Sequence, residues 1–302
     1  MHHLVAPMLQ RFAGLDLRLV ALAMAFQIGN VALRSTAWWG VLRAAYPGPR
    51  RVPLVRVGCA YAAGMAANAL LPARGGDGVK AVLARAGIEG SALPTIVATM
   101  AVTALFDGVL GAGALILAWA TGGAAWPASL SHVPSAWLVA AVAAVSVAAV
   151  VAVRRRAPAR VRRLGAQLRQ GGAILKTPHR YAAQVALPQA AAWCCRLGVV
   201  LALLRAFHIP ASPSVALAVL VLGGASSAVP VLPGGAGAQQ VVVVYALRAT
   251  ATAAAALSFS LGMQVGITLF NAVLGLAALA LLFGTLRPLA AVRAGRGVLL
   301  DA

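Results

Sequence analysis

Two apolar stretches of this chain are interrupted by nearly the same run of helix-breaking residues. Leu71-Pro72 leads into Gly75-Gly76-Asp77-Gly78, and Leu232-Pro233 leads into Gly234-Gly235-Ala236-Gly237. Proline removes a backbone donor and clashes with the preceding turn, while clustered glycine tolerates conformations other residues avoid. Inside hydrocarbon, the freed backbone groups are acceptable only where protein buries them or a wet cavity receives them. Paired breaks in two halves of an apolar chain therefore point to a substrate site. The plainer alternative is two surface turns.

The chain is 62% hydrophobic and 10% charged over 302 residues, which excludes an ordinary soluble domain. A helix crossing the hydrocarbon core needs about 20 apolar residues, and segments 17–42, 92–120, 133–153, 182–206 and 254–286 qualify. The expected fold is an all-α integral membrane protein, a polytopic helical bundle forming a single transmembrane domain over 1–302. Between the spans lie two broken units. The first has arms Val57–Leu71 and Val79–Ala86, and the second has arms Ser214–Leu232 and Ala238–Arg248. Both arms of the first and the far arm of the second fall short of a crossing. Re-entrant hairpins are the economical arrangement, and kinked full spans are the alternative.

Charge sets the expected topology. The connection 154–180 carries Arg154, Arg155, Arg156, Arg160, Arg162, Arg163, Arg169, Lys176 and Arg180 with no acid, and should be cytoplasmic. Arg43, Arg50, Arg51 and Arg56, and the basic tail 287–302, should share that side, whereas 121–132 has no Lys or Arg and should face outward. These assignments agree only if both broken units are re-entrant, with the amino terminus outside. Span, hairpin and span then occur once from the inside (17–120) and once from the outside (182–286), joined by 121–181. That is an inverted repeat.

The net charge of +20 follows this loop pattern and implies lipid headgroups as partners rather than nucleic acid. Cys59, Cys194 and Cys195 lie in apolar segments without metal spacing and read as buried small residues. Histidines and carboxylates form no catalytic or metal-binding pattern. The expectation is no enzyme, no cofactor and no metal. Nothing after the apolar run from Leu17 resembles a signal-peptide cleavage site.

Asp107 stands near the middle of 92–120, where an ionised carboxylate costs about 2.5–3.5 kcal/mol and so seeks a cavity or a cation. On that reckoning, Asp107→Asn should preserve insertion, because neutralising the acid lowers its desolvation cost. Thr95, Thr99 and Thr103 precede it at four-residue spacing, and Ser260, Gln264, Thr268 and Asn271 form a matching stripe in the last span. Interhelical hydrogen bonding is the preferred reading of these hydroxyls. Arg34 and Arg196 also fall inside spans, and either could snorkel. Arg196, farther from the ends, is the expected partner of Asp107 or of a lipid phosphate. Around the first break, Arg74 and Lys80 suit a phosphate, and Asp77 either joins that group or caps the arm beginning at Val79. Helices resuming after each glycine cluster present free N–H groups to an anion. Ala-Ala in place of Gly75-Gly76 should then favour helix by about 1 kcal/mol per residue.

At these residues the chain resembles the flippase-like family related to the lysylphosphatidylglycerol synthase transmembrane region. Asn68, Leu71-Pro72, Gly76-Asp77, Lys80 and Asp107 match its first signature; Pro230, Pro233-Gly234-Gly235 and Gly237 match its second. Thr103 and Ala104 stand where the family usually has Glu-Arg, and Gln240 where an acid is usual. The family commonly has one more span before the region resembling 17–45, and some relatives carry an aminoacyl-transfer domain without counterpart here. The resemblance implies a bacterial inner-membrane lipid translocase or transporter for an anionic or phosphate-bearing lipid. The competing class is a non-transporting membrane subunit that docks a lipid-modifying enzyme or glycosyltransferase through 154–180.

Overall fold

The structure is a computed structural model that describes residues 14–48, 52–70, 75–120, 160–226 and 237–283. The linking span 133–153, the connection 121–132, Arg154 to Arg156 and the tail 287–302 lie outside the described residues, so their assignments rest on the sequence. Within the described residues the protein is all-helical: α1 (Leu17–Ala45), α2 (Leu54–Leu70), α3 (Gly75–Ala86), α4 (Leu93–Ala120), α5 (Arg160–Gly171), α6 (Pro178–Ala206), α7 (Pro213–Ser226), α8 (Ala238–Leu247) and α9 (Ala253–Phe283). Four of these, α1, α4, α6 and α9, are long and apolar enough to cross a membrane. The chain is a multi-pass helical membrane protein.

Local chemistry sets the helix ends. Asp16 caps α1, its carboxylate accepting the N–H groups of Arg18 (2.9 Å) and Leu19 (3.4 Å). Pro47 follows its last turn, and proline cannot continue a helix. Early in α6, residues Ala182–Ala186 form a π-turn just before Pro188. The proline ring would collide with the carbonyl four residues back, and the widened turn relieves that conflict.

The long spans α1 and α6 run antiparallel in intimate contact. Gly40 lies against Gln184, Gly29 against Cys195 Sγ and Gly198 against Phe26. Small residues at a helix seam let the backbones approach, the usual route to association where lipid supplies no hydrophobic drive. Two apolar clusters flank the middle of the bundle. One holds Ala23, Leu204, Phe207, Leu247 and Phe259, and the other holds Trp38, Leu42, Val57, Ala84 and Ile96.

Both broken units are helical hairpins with packed arms. In the first, Gly76 abuts Asn68 and the Gly64 carbonyl, Gly64 abuts Lys80, and Gly87 abuts Arg56, which is antiparallel register over the whole length. The second brings Gly223 to Val243 and Gln239. At about 1.5 Å per residue, the 17-residue α2 and 12-residue α3 reach only ~26 and ~18 Å, short of a ~30 Å core. The open end of the first hairpin lies where α1 ends and α4 begins. That of the second lies where α6 ends and α9 begins. α9 in turn packs on α2, with Gly275 pressed against Ala62, Ala63 and Ala66.

Three expectations need correction. Gly75-Gly76-Asp77-Gly78 is not the break but the first turn of α3, so Asp77 does not cap a helix starting at Val79. The connection 154–180 is not simply a loop. It contains α5, whose Gly171 packs against Thr95 and Ala98 and whose Gln170 donates to the Ala45 carbonyl at 3.0 Å, and α6 begins within it at Pro178. Cys194 is exposed on α6 rather than buried.

Candidate functional site

Along α1, the residues between the two apolar clusters are polar on one face. Gln27, Asn30 and Arg34 follow the i, i+3, i+7 spacing of a helical stripe. Arg34 forks onto Asp107 of α4 with two hydrogen bonds, Nη1 to Oδ2 at 2.7 Å and Nη2 to Oδ1 at 2.9 Å. This bidentate geometry is the strong form of a guanidinium–carboxylate pair. Trp193 of α6 donates its indole N–H to the same carboxylate at 3.0 Å. Behind Arg34, its Nε donates to Asn30 Oδ1, Asn30 donates to Gln27 Oε1, and Gln27 donates to Asn271 Oδ1 of α9 at 2.9 Å. One polar chain thus ties four spans together at mid-bundle.

Arg34 therefore takes the place expected of Arg196 as the partner of Asp107, and it does not snorkel. The reason is reach: α1 and α4 pack antiparallel, with Trp38 donating to Thr99 at 3.0 Å one turn away, which sets Arg34 opposite Asp107. Arg196 instead lies over the Trp193 ring, its Cζ 5.0 Å from the centroid. Among the described residues no carboxylate is within ion-pair distance of Arg196.

Lys80 of α3 is buried at 9% exposure, its ammonium 4.6 Å from the Trp38 ring and 4.2 Å from the Tyr61 ring. Cation–π contact of this kind steadies a charge that water has left. Apart from Trp38, these groups line one cavity of about 750 Å³, between α1, α4, α6, α9 and both hairpins. Its charged lining comprises Arg34, Lys80, Arg196, Asp77 and Asp107. Asn68 also faces it, with its side-chain carbonyl oxygen lacking a hydrogen-bond partner.

Of the residues singled out in the sequence, Arg34, Asn68, Asp77, Lys80, Asp107, Arg196 and Asn271 meet in this cavity. Gly75 and Gly76 open α3 behind it, and Gly76 serves the contact between the arms. Gly237 precedes α8 with φ +88°, a conformation that favours glycine. Its N–H donates to Gln240 Oε1 at 2.6 Å, and Gln240 Nε2 donates to Gln264 of α9. Pro72, Arg74, Pro230, Pro233, Gly234 and Gly235 lie outside the described residues. Sequence reasoning missed Gln27, Asn30, Tyr61 and Trp193. The stripe 27–30–34 was available from the spacing that exposed the stripes of α4 and α9; the aromatic residues carried no such signal, since rings are ordinary in a span.

A polytopic helical membrane protein with a charged cavity among its spans and two helical hairpins is the class that fold and site define. The model of the lysylphosphatidylglycerol synthase transmembrane region matches residues 4–275, and the chain belongs to that family. Comparison with curated proteins and with solved structures finds no match.

Proposed function

We propose that this protein is a lipid translocase or lipid transporter of the bacterial inner membrane, handling an anionic or phosphate-bearing lipid. One observation carries the reading: among the described residues, the cavity gathers three cations, Arg34, Lys80 and Arg196, against two acids, Asp77 and Asp107. An excess positive charge inside a membrane is costly, about 2.5–3.5 kcal/mol on the insertion scale, and a bound phosphate would offset that cost. Arg196 is the best placed receptor, because its guanidinium is oriented by Trp193 and, among the described residues, is not committed to a carboxylate. The rest of the lining is largely apolar, including Leu115, Val199, Leu220 and Ile267, a surface suited to acyl chains.

The hairpins support a transporter's layout. The described arms of the first hairpin are too short to cross, and the two hairpins enter from opposite ends of the bundle, which fits re-entrant units. The mutual packing of α2 with α9 and of α4 with α7 fits two inverted half-repeats, 17–120 and 182–286, that share one site. The end at which α1 finishes and α4 and α6 begin carries Arg43, Arg56, Arg85, Arg169, Lys176 and Arg180 against Glu89. By the positive-inside rule that end faces the cytoplasm. Cysteine labelling should then place positions 48 and 90 on the cytoplasmic side together. Opposite faces would eliminate the re-entrant layout.

The activity itself is tested in proteoliposomes containing a headgroup-labelled phosphatidylglycerol, with lipid exposure followed by membrane-impermeant quenching. Wild type should accelerate exchange between leaflets, and Arg196→Gln should reduce it at least tenfold while leaving the melting temperature nearly unchanged. Exchange no faster than in empty vesicles across anionic lipids would overturn the reading and favour a docking subunit.

A further inference from the structure

The last turn of α5, the 3₁₀ turn Ala173–Lys176 and the start of α6 form a surface that the cavity does not use. Its exposed residues include Leu168, Arg169, Leu175, Lys176, His179 and Arg180, with Gln170 and Pro178 among them. Arginine occupies four of the twelve positions of α5 and no acid is present in it. The surface is anchored from beneath: Ile174 is fully buried beside Val41, Val102 and Val185, and Gly171 is pressed onto α4 at Thr95 and Ala98. Its height in the bundle is therefore set by the ends of three long helices. Gln170 bonds the last residue of α1, Gly171 touches the first turns of α4, and the surface runs directly into α6.

Where spanning helices end, hydrocarbon gives way to headgroups. Two exposed leucines held at that level beside Arg169, Lys176 and Arg180 are the composition of an interfacial, monotopic element. In water the leucines would remain exposed. At the headgroup–acyl boundary they are covered, and the bases meet phosphate. We infer that this surface rests on the adjoining leaflet and binds anionic phospholipid headgroups, holding α5 to the membrane as a peripheral lipid contact outside the central cavity. An acidic protein partner would match the charges but gives no reason for apolar side chains at this level. Among the described residues, the acid at this end is Glu89, in the α3–α4 connection and not in the surface itself.

The test uses the full chain in vesicles of phosphatidylcholine with or without phosphatidylglycerol. A nitroxide placed at position 175 or 168, in a background with Cys59, Cys194 and Cys195 replaced, reports local depth through its relative accessibility to oxygen and to a water-soluble nickel complex. Boundary depth is expected at both positions; the aqueous signature of a free loop would overturn the inference. Spin-labelled phosphatidylglycerol should associate with the wild-type protein in preference to the phosphatidylcholine analogue. The variant R169Q/K176Q/R180Q should weaken that preference, on the order of fivefold for each base removed at low salt, and high salt should weaken it in wild type. Because the depth and salt measurements need no charge variant, the inference stays testable if that variant folds poorly. An unchanged lipid preference in a folded variant, or loss of a co-purifying protein without change in lipid preference, would overturn it.

Discussion

The two hairpins share an outline and differ in nearly everything that gives them chemistry. The first, α2–α3, brings Asn68, Asp77 and Lys80 to the cavity and is closed by backbone contact. A Cβ at Gly64 would lie 2.6 Å from that of Lys80, and one at Gly76 would meet the Gly64 carbonyl and the Asn68 backbone. The second, α7–α8, brings no charge in its described residues; its cavity-facing polar group is Gln239, and Gln240 binds α9. Its arms are looser, for a Cβ at Gly223 would find Val243 at 3.9 Å. The comparison teaches that a Pro/Gly break specifies a hairpin but not its job. The first hairpin presents charge in a fixed position, and the second supplies a neutral wall with an amide hinge onto the last span.

The largest effect should come from the glycine seam. Gly76→Ala forces two backbones apart, and overpacking of this kind costs about 3 kcal/mol or more. This reverses the simple helix-propensity expectation for that position, since the added methyl has nowhere to go. Gly223→Ala should stay within about 0.5 kcal/mol of wild type. Thermal unfolding in detergent compares the two, and equal losses would erase the proposed difference between hairpins.

Next in size is the ion pair that faces both hairpins. Asp107→Asn leaves the Arg34 charge without its counterion, a loss of about 3 kcal/mol, the lower end for a buried pair because a quarter of the Asp107 side chain is exposed. The double variant R34M/D107L should recover much of the stability, yet not lipid exchange. A double-mutant cycle in denaturant measures the coupling, and additive losses would show that the pair contributes nothing beyond its separate members.

Gln240→Ala removes both the acceptor for the Gly237 N–H and the bond to Gln264, at about 1–2 kcal/mol. Amide exchange should rise at the start of α8 and remain unchanged in α3. Asn271→Ala, which removes only the bond to Gln27, should cost about 0.6 kcal/mol. A loss as large as that of the ion pair would mean that the polar chain acts as one unit.

Much of this was readable from the chain because the bilayer is a demanding solvent. Length and apolarity alone define the spans of α1, α4, α6 and α9, and the described ends of the hairpin arms fall within a few residues of those expected. A helix must satisfy its own backbone in hydrocarbon, so sequence maps directly onto element. The family pattern likewise brought Asn68, Asp77, Lys80 and Asp107 forward, and these do share the cavity. What sequence could not determine was which charge meets which. Depth in the span favoured Arg196 over Arg34, and only the antiparallel register of α1 against α4 sets Arg34 opposite Asp107 and leaves Arg196 to Trp193. The same holds for Gly76, whose role depends on the backbone across the seam and not on its neighbours in the chain. Periodicity and hydropathy are properties of one helix at a time, whereas pairing and close approach are properties of two, decided only when packing brings them together.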